Sequence, residues 1–163
     1  GSTPDPAQRE AMKALAAETG KMFMDEGIVS AAAKYADAPM RQTHKHKDPR
    51  GWAEFAKMLS EHSAIGHGLT MFNLQLKRPT LWEMEEKLKG FSVPLLVVVG
   101  DEDFPCLDGS LFLKRTVPTA ALRVVPRSGH TITSEEPAIF NAALADLFSA
   151  TETGGWMSHR AAS

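Results

Sequence analysis

One cysteine, Cys106, is all the thiol that these 163 residues carry. That excludes an internal disulfide and any all-cysteine metal cage. Net charge is nearly absent too, at −2 from 18 basic and 20 acidic residues. A chain this balanced lacks the positive footprint of a polyphosphate binder, so no nucleic-acid partner is expected. No apolar run approaches the ~20 residues of a membrane span, and nothing resembles a signal peptide. The expectation is a cytoplasmic protein with no membrane partner. Repeats and low-complexity tracts are missing as well. What is present is a 43% hydrophobic fraction, enough for one ordinary domain with a sizeable core and too little chain for two large ones.

The chain falls into two unlike parts. Through residues 1–90 every signal is helical. Asp5-Pro6-Ala7-Gln8 joins an N-cap acid to a proline in the first turn, with a glutamine placed to reach back. A stripe of Met12, Leu15, Ala16, Thr19, Met22 and Phe23 follows, and Gly27 is expected to end that helix. A second runs from Ile28 to about Asp37. Asp48-Pro49 repeats the start signal, with Trp52, Phe55, Met58 and Leu59 on one face. The helical pattern continues through Ile65, Leu69, Phe72 and Leu76 to Pro79. Thr80-Leu81-Trp82-Glu83 is a capping box for a last helix ending near Gly90.

Across residues 91–150 the rhythm changes. Leu95–Val99 does not alternate and reads as a strand buried on both faces. A helix over 109–116, with Leu111, Phe112 and Val117 inward, leads to a second strand, Ala121–Val125. After Ser128-Gly129-His130, a helix over 135–149 turns Ile139, Phe140, Ala143, Leu144, Leu147 and Phe148 inward. Strand, helix, strand, helix is a βαβα unit with a parallel pair. Residues 151–163 are small and polar apart from Trp156 and Met157, and are expected to fray. Two parallel strands this apolar need neighbours at their edges and cover on both faces. The reading is therefore an α/β fold with an incomplete core.

Two residues stand where chemistry is built in such sheets, outside the carboxyl ends of the strands. Asp103 leaves the first strand in Gly100-Asp101-Glu102-Asp103-Phe104-Pro105, and His130 follows the second. Parallel strands lie about 4.8 Å apart, so these loops can bring carboxylate and imidazole into contact. A carboxylate on one ring nitrogen leaves the other free as a general base. That pairing still requires a nucleophile.

Strand-Gly-Asp-Glu-Asp-x-Pro, then Leu122–Pro126, Ser128-Gly129-His130 and Glu136-Pro137-x-x-Phe140-Asn141 together resemble the C-terminal end of an α/β-hydrolase fold protein. In that family the triad runs in the order nucleophile, acid, histidine. The resemblance implies Asp103 as triad acid, His130 as triad base, and the helices up to residue 90 as a cap inserted before the acid-bearing strand. It departs at one point. No G-x-S-x-G elbow occurs, and the nearest string, Glu61-His62-Ser63-Ala64-Ile65-Gly66, lacks the first glycine, sets its last one residue too far from the serine, and follows a helix. Ser63 reads as a cap residue, and the nucleophile as absent from the chain. The chain thus reads as a fragment, inactive alone, of a hydrolase of a small apolar ester-like substrate that uses no cofactor.

Other groups read as structural. His44 and His46, interleaved with lysines, suit a solvated loop better than a metal site. His62 and His67, five apart on helical sequence, should not share a face, and His159 lies in the tail. Cys106 is expected as a small buried group, and no metal site is expected. Two further readings remain open. Asp101-Glu102-Asp103 could form a D-x-D magnesium site for phosphoryl transfer. Alternatively, the chain is a non-enzymatic helical interaction module. In either setting the open sheet edge and the cap helices point to a homo-oligomer, with domain swapping a low-cost route to the missing neighbours.

Overall fold

A computed structural model of the chain describes residues 3–156. It divides into two compact units, Thr3–Pro79 and a second beginning at Thr80. Among the described residues no helix is long and apolar enough to cross a membrane.

The first unit is all helical. Asp5 caps α1 (Pro6–Ala36) by accepting from the amides of Ala7 and Gln8 at 2.8 and 3.4 Å. Gly27 breaks α1 as its sequence position suggested, with φ 77° and ψ 172°, a backbone state that glycine enters without a Cβ penalty. A 3-10 turn, Pro39–Arg41, leads to α2 (Gln42–Lys47) and then α3 (Pro49–Ser60), which Asp48 caps through the Gly51 amide at 2.9 Å. The core joins Ala32 and Ala36 of α1 to Leu59 of α3, with Ile28, Tyr35, Trp52, Phe55 and Ala56 around them. The two alanines admit α3 closely, and the Trp52 indole N–H donates to the Ala36 carbonyl at 2.8 Å.

Met58, Ile65 and Leu69 are helical as their patterns imply, yet they are 57%, 63% and 47% exposed. Ser63 restarts the helix as α4 (Ala64–Thr70) instead of letting α3 run on. The helical phase resets there, so His67 and Gly68 meet α1 in place of Ile65 and Leu69. One widened turn, Met71–Gln75, closes the unit. His44 is not on a solvated loop. It sits in α2, wholly buried, with its ring 6.2 Å from that of Phe55. Its neighbours Lys45 and Lys47 disguise the fact that one side of a short helix faces the core.

The second unit opens with the capping box as read. The Thr80 amide donates to Glu83 at 2.7 Å, and the Glu83 amide to the Thr80 hydroxyl at 3.2 Å. A 3-10 turn, Trp82–Met84, and α5 (Glu85–Lys89) follow. Trp82 stacks on Phe112 with centroids 4.6 Å apart. β1 (Leu95–Gly100) and β2 (Ala120–Val125) pair in parallel, in register from Leu95 opposite Ala120 to Gly100 opposite Val125. The crossover is α6 (Phe104–Thr116), which packs on both strands. It starts earlier than residue 109 because Pro105 sits in its first turn, where the fixed φ of proline favours a helix start. Its buried positions include Gly109, Ser110 and Thr116, whereas Leu111 is 39% exposed.

The last helical segment is two helices, α7 (Ile132–Glu135) and α8 (Pro137–Glu152). Glu136 separates them at φ −138°, ψ 59°, since a residue before proline is driven out of the helical region. Ala143 is buried and Phe148 is exposed. Full burial of β1 is confined to Val99 and Gly100, because among the described residues two strands share the sheet. Fraying was expected from residue 151, but α8 continues to Glu152 and Trp156 donates to the Thr119 carbonyl at 2.7 Å. Met157 and His159 lie outside the described residues.

Candidate active site

The ladder ends at the Gly100–Val125 rung, and both loops of interest leave from there. Asp101 donates its amide to the Val125 carbonyl at 3.0 Å, and Glu102 donates to the Ser128 carbonyl at 3.0 Å. The loops therefore remain hydrogen-bonded beyond the last rung. Gly100 makes the approach possible. A Cβ there would lie 2.5 Å from the Gly129 oxygen and the Ser128 carbonyl carbon, and closer still to the Ser128 oxygen. All three are backbone atoms with no freedom to swing away.

Asp103 stands at the N-cap of α6 but makes no side-chain capping bond. Its carboxylate turns to the other loop, where Oδ2 lies 2.8 Å from Nδ1 of His130. The acid side chain is 7% exposed and the imidazole 34%. An ionised carboxylate only accepts, so Nδ1 carries the proton and Nε2 keeps a lone pair. Asp103 Oδ1 is buried with no hydrogen-bond partner among the described residues. Cys106, one turn into α6, is half-buried, and its sulfur is 3.8 Å from the same Nδ1. It is thus an element of the site and not the small buried group the sequence suggested.

Glu135, where the sequence places a helix start, does more than begin a helix. Nearly buried, it accepts from the Gly129 amide at 2.7 Å, the Thr131 amide at 3.0 Å and the Thr131 hydroxyl at 2.8 Å. These donors lie on both sides of His130, so one carboxylate fixes the loop that aims the imidazole. A glutamate five residues after a histidine, at the end of a one-turn helix, was the available signal. Asp101 also has a structural use, accepting the Ser128 amide at 3.2 Å. Asp101 and Asp103 are engaged with different partners, which lends no support to a D-x-D magnesium pair.

The remaining candidates lie in the helical unit. Ser63 is the N-cap of α4, its hydroxyl accepting the Gly66 amide at 3.1 Å. His62 and His67 do meet, contrary to expectation: Nδ1 of one is 3.2 Å from Nε2 of the other, and the rings stack. The break at Ser63 folds the chain back by enough to cancel their five-residue offset. His67 also stacks on Phe23 with centroids 4.5 Å apart. Burial, and secondarily the charge of His62, hold its pKa below the usual imidazole value.

The fold is that of part of an α/β hydrolase, a helical region followed by a two-stranded parallel βαβα unit. Solved structures similar to it include MenH from S. aureus, at TM-score 0.82 and 14% identity over 93% of this chain and 56% of that one. A thermophilic esterase from Thermogutta terrifontis aligns at TM-score 0.69 and 19% identity, over 91% of this chain and 53% of its own. Est816, described as an N-acyl homoserine lactone degrading enzyme, aligns at TM-score 0.56 and 25% identity, over 79% and 50%. The chain spans about half the length of these proteins. No family model and no curated protein sequence matches it.

Proposed function

We propose that the chain is the acid- and histidine-bearing part of a hydrolase that cleaves a small, apolar, ester-like substrate through a nucleophile–His–Asp triad. The observation that carries this reading is the 2.8 Å contact between buried Asp103 and half-exposed His130 at the carboxyl ends of paired parallel strands. Nε2 of His130 takes the proton of the attacking group as the bond to the substrate carbonyl forms, then returns it to the leaving oxygen. Asp103 holds the ring in the required tautomer and stabilises the imidazolium between those steps. The esterase and lactone-degrading neighbours support an ester-like substrate class. The nucleophile comes from outside this sequence, since no G-x-S-x-G elbow is present.

Alone, the chain is expected to be inactive. Purified chain should release no p-nitrophenol from p-nitrophenyl butyrate above the buffer rate. The coding sequence upstream should contain a strand followed by G-x-S-x-G, and the joined product should lose activity when His130 is replaced by alanine. Turnover by the isolated chain that disappears in Ser63→Ala would reverse the assignment of the nucleophile. Each strand has a single neighbour among the described residues, so self-association of the isolated chain through the open edges is part of the same reading. A monomer by light scattering at high concentration would count against that part.

A further inference from the structure

We propose that Asp103, Cys106 and His130 form a binding site for a zinc-class divalent cation, one that competes with the Asp103–His130 hydrogen bond. The three side chains offer a carboxylate oxygen, a thiol sulfur and a ring nitrogen, all within 4.8 Å of one another. Tetrahedral zinc with Zn–S about 2.3 Å and Zn–N about 2.0 Å sets sulfur and nitrogen ~3.6 Å apart. Cys106 Sγ and His130 Nδ1 are 3.8 Å apart, so these two ligands are nearly in place. The carboxylate oxygen at 2.8 Å from Nδ1 must retreat to roughly 3.3 Å to admit the ion.

An independent feature points the same way. Asp103 is 7% exposed, and its Oδ1 has no partner among the described residues. Burying an unsatisfied carboxylate oxygen is costly, and positive charge on the same carboxylate offsets part of that cost. Half-exposed Cys106 and His130 leave a path for entry and room for water as a fourth ligand. The set of one thiolate, one imidazole and one carboxylate is suited to zinc and unsuited to magnesium or calcium, which take oxygen ligands.

Binding is balanced by one proton. The thiol loses its hydrogen to form the S–Zn bond, while the ring proton moves from Nδ1 to Nε2 without leaving the imidazole. Metal on Nδ1 and a hydrogen bond from Nδ1 exclude each other, and Nε2 then carries hydrogen and cannot act as a base. Occupancy would silence the pair. The site itself follows from ligand geometry and does not depend on the chain's being part of a hydrolase.

The test is titration of the reduced full chain with Zn²⁺ and Co²⁺. One cation should bind per chain, with release of one proton seen by calorimetry in buffers of different ionisation enthalpy. The cobalt complex should show a thiolate charge-transfer band in the near ultraviolet. Cys106→Ser should abolish that band, and Cys106→Ser and His130→Ala should each weaken Zn²⁺ binding by at least about 100-fold, the upper range for loss of a group merely supporting a ligand. Circular dichroism of Cys106→Ser should match the parent, which separates ligand loss from misfolding. Binding that survives Cys106→Ser and is lost in His62→Ala would place the ion on the other histidine pair and overturn the proposal. So would absence of the charge-transfer band, or of any binding at micromolar Zn²⁺.

Discussion

Replacing Glu135 tests whether the histidine loop is held from behind. Its carboxylate accepts three hydrogen bonds, from two amides and one hydroxyl, on the residues bracketing His130. Hydrogen bonds to a charged acceptor contribute about 1.5–3 kcal/mol each, and an orphaned buried donor costs about 1–3 kcal/mol. Gly129 is buried, so alanine at 135 strands its amide, whereas half-buried Thr131 can turn to water for part of its loss. The expected cost of Glu135→Ala is therefore ~2–4 kcal/mol, near the full value for one amide and a fraction for the other groups. That is a large share of a typical domain's 5–15 kcal/mol. Glu135→Gln keeps one acceptor oxygen and should cost about half as much. Urea unfolding followed by tryptophan fluorescence reads the stability. The low-field proton resonance of the His130 Nδ1–H reads the geometry, and it should broaden or shift in the alanine variant. Glu135→Ala unfolding within about 0.5 kcal/mol of the parent, with that proton unmoved, would refute the bracing role.

Three more outcomes are expected. Gly100→Ala drives a methyl into the backbone of Ser128 and Gly129; overpacking against rigid atoms should cost about 3 kcal/mol or more and erase the His130 Nδ1 resonance, both readable by the same two methods. Ser63→Ala removes the α4 cap bond to Gly66 and should destabilise the helical unit by about 1 kcal/mol, seen as a lower thermal midpoint, with no effect on hydrolysis by the joined product. Because burial lowers the His67 pKa in the folded chain, the unfolded chain binds more protons just below the ordinary imidazole value. Stability of the helical unit should therefore be complete above pH ~6.5 and decline as pH falls through the folded value; His67→Phe, which keeps the stack on Phe23, should flatten that decline in urea midpoints taken from pH 7 to 5.

Much of this was legible in the residues, and what escaped has physical causes. Start signals at Asp5, Asp48 and Thr80 were local, each an acid or hydroxyl reaching amides two or three positions on, so they could be read without tertiary knowledge. The strand pair and its parallel sense followed from two apolar runs joined by a helix. Asp103 and His130 could be placed at strand ends, and the structure puts them within hydrogen-bond distance. Ser63 hid a helix restart, because a serine in a helical pattern does not announce whether it caps or continues. From that one ambiguity came the misplacement of the His62–His67 pair. Glu135 escaped because its partners are backbone amides, which no side-chain pattern reveals. His44 escaped because burial of a polar residue in a stretch as polar as Gln42–Lys47 runs against composition.

The shared Gly100–Val125 rung acts as a fixed datum from which both functional loops are measured. Lengthening the α6–β2 crossover would leave that datum untouched, since added surface loop costs only the slowly growing entropy of closure. A single residue inserted between Val99 and Asp103, or between Val125 and His130, would instead advance one side chain relative to its partner by about 3.3 Å, more than the whole Asp103–His130 contact. Tolerance to length change should thus alternate sharply along this short stretch, generous in the turn that joins α6 to β2 and nil at the two strand tips.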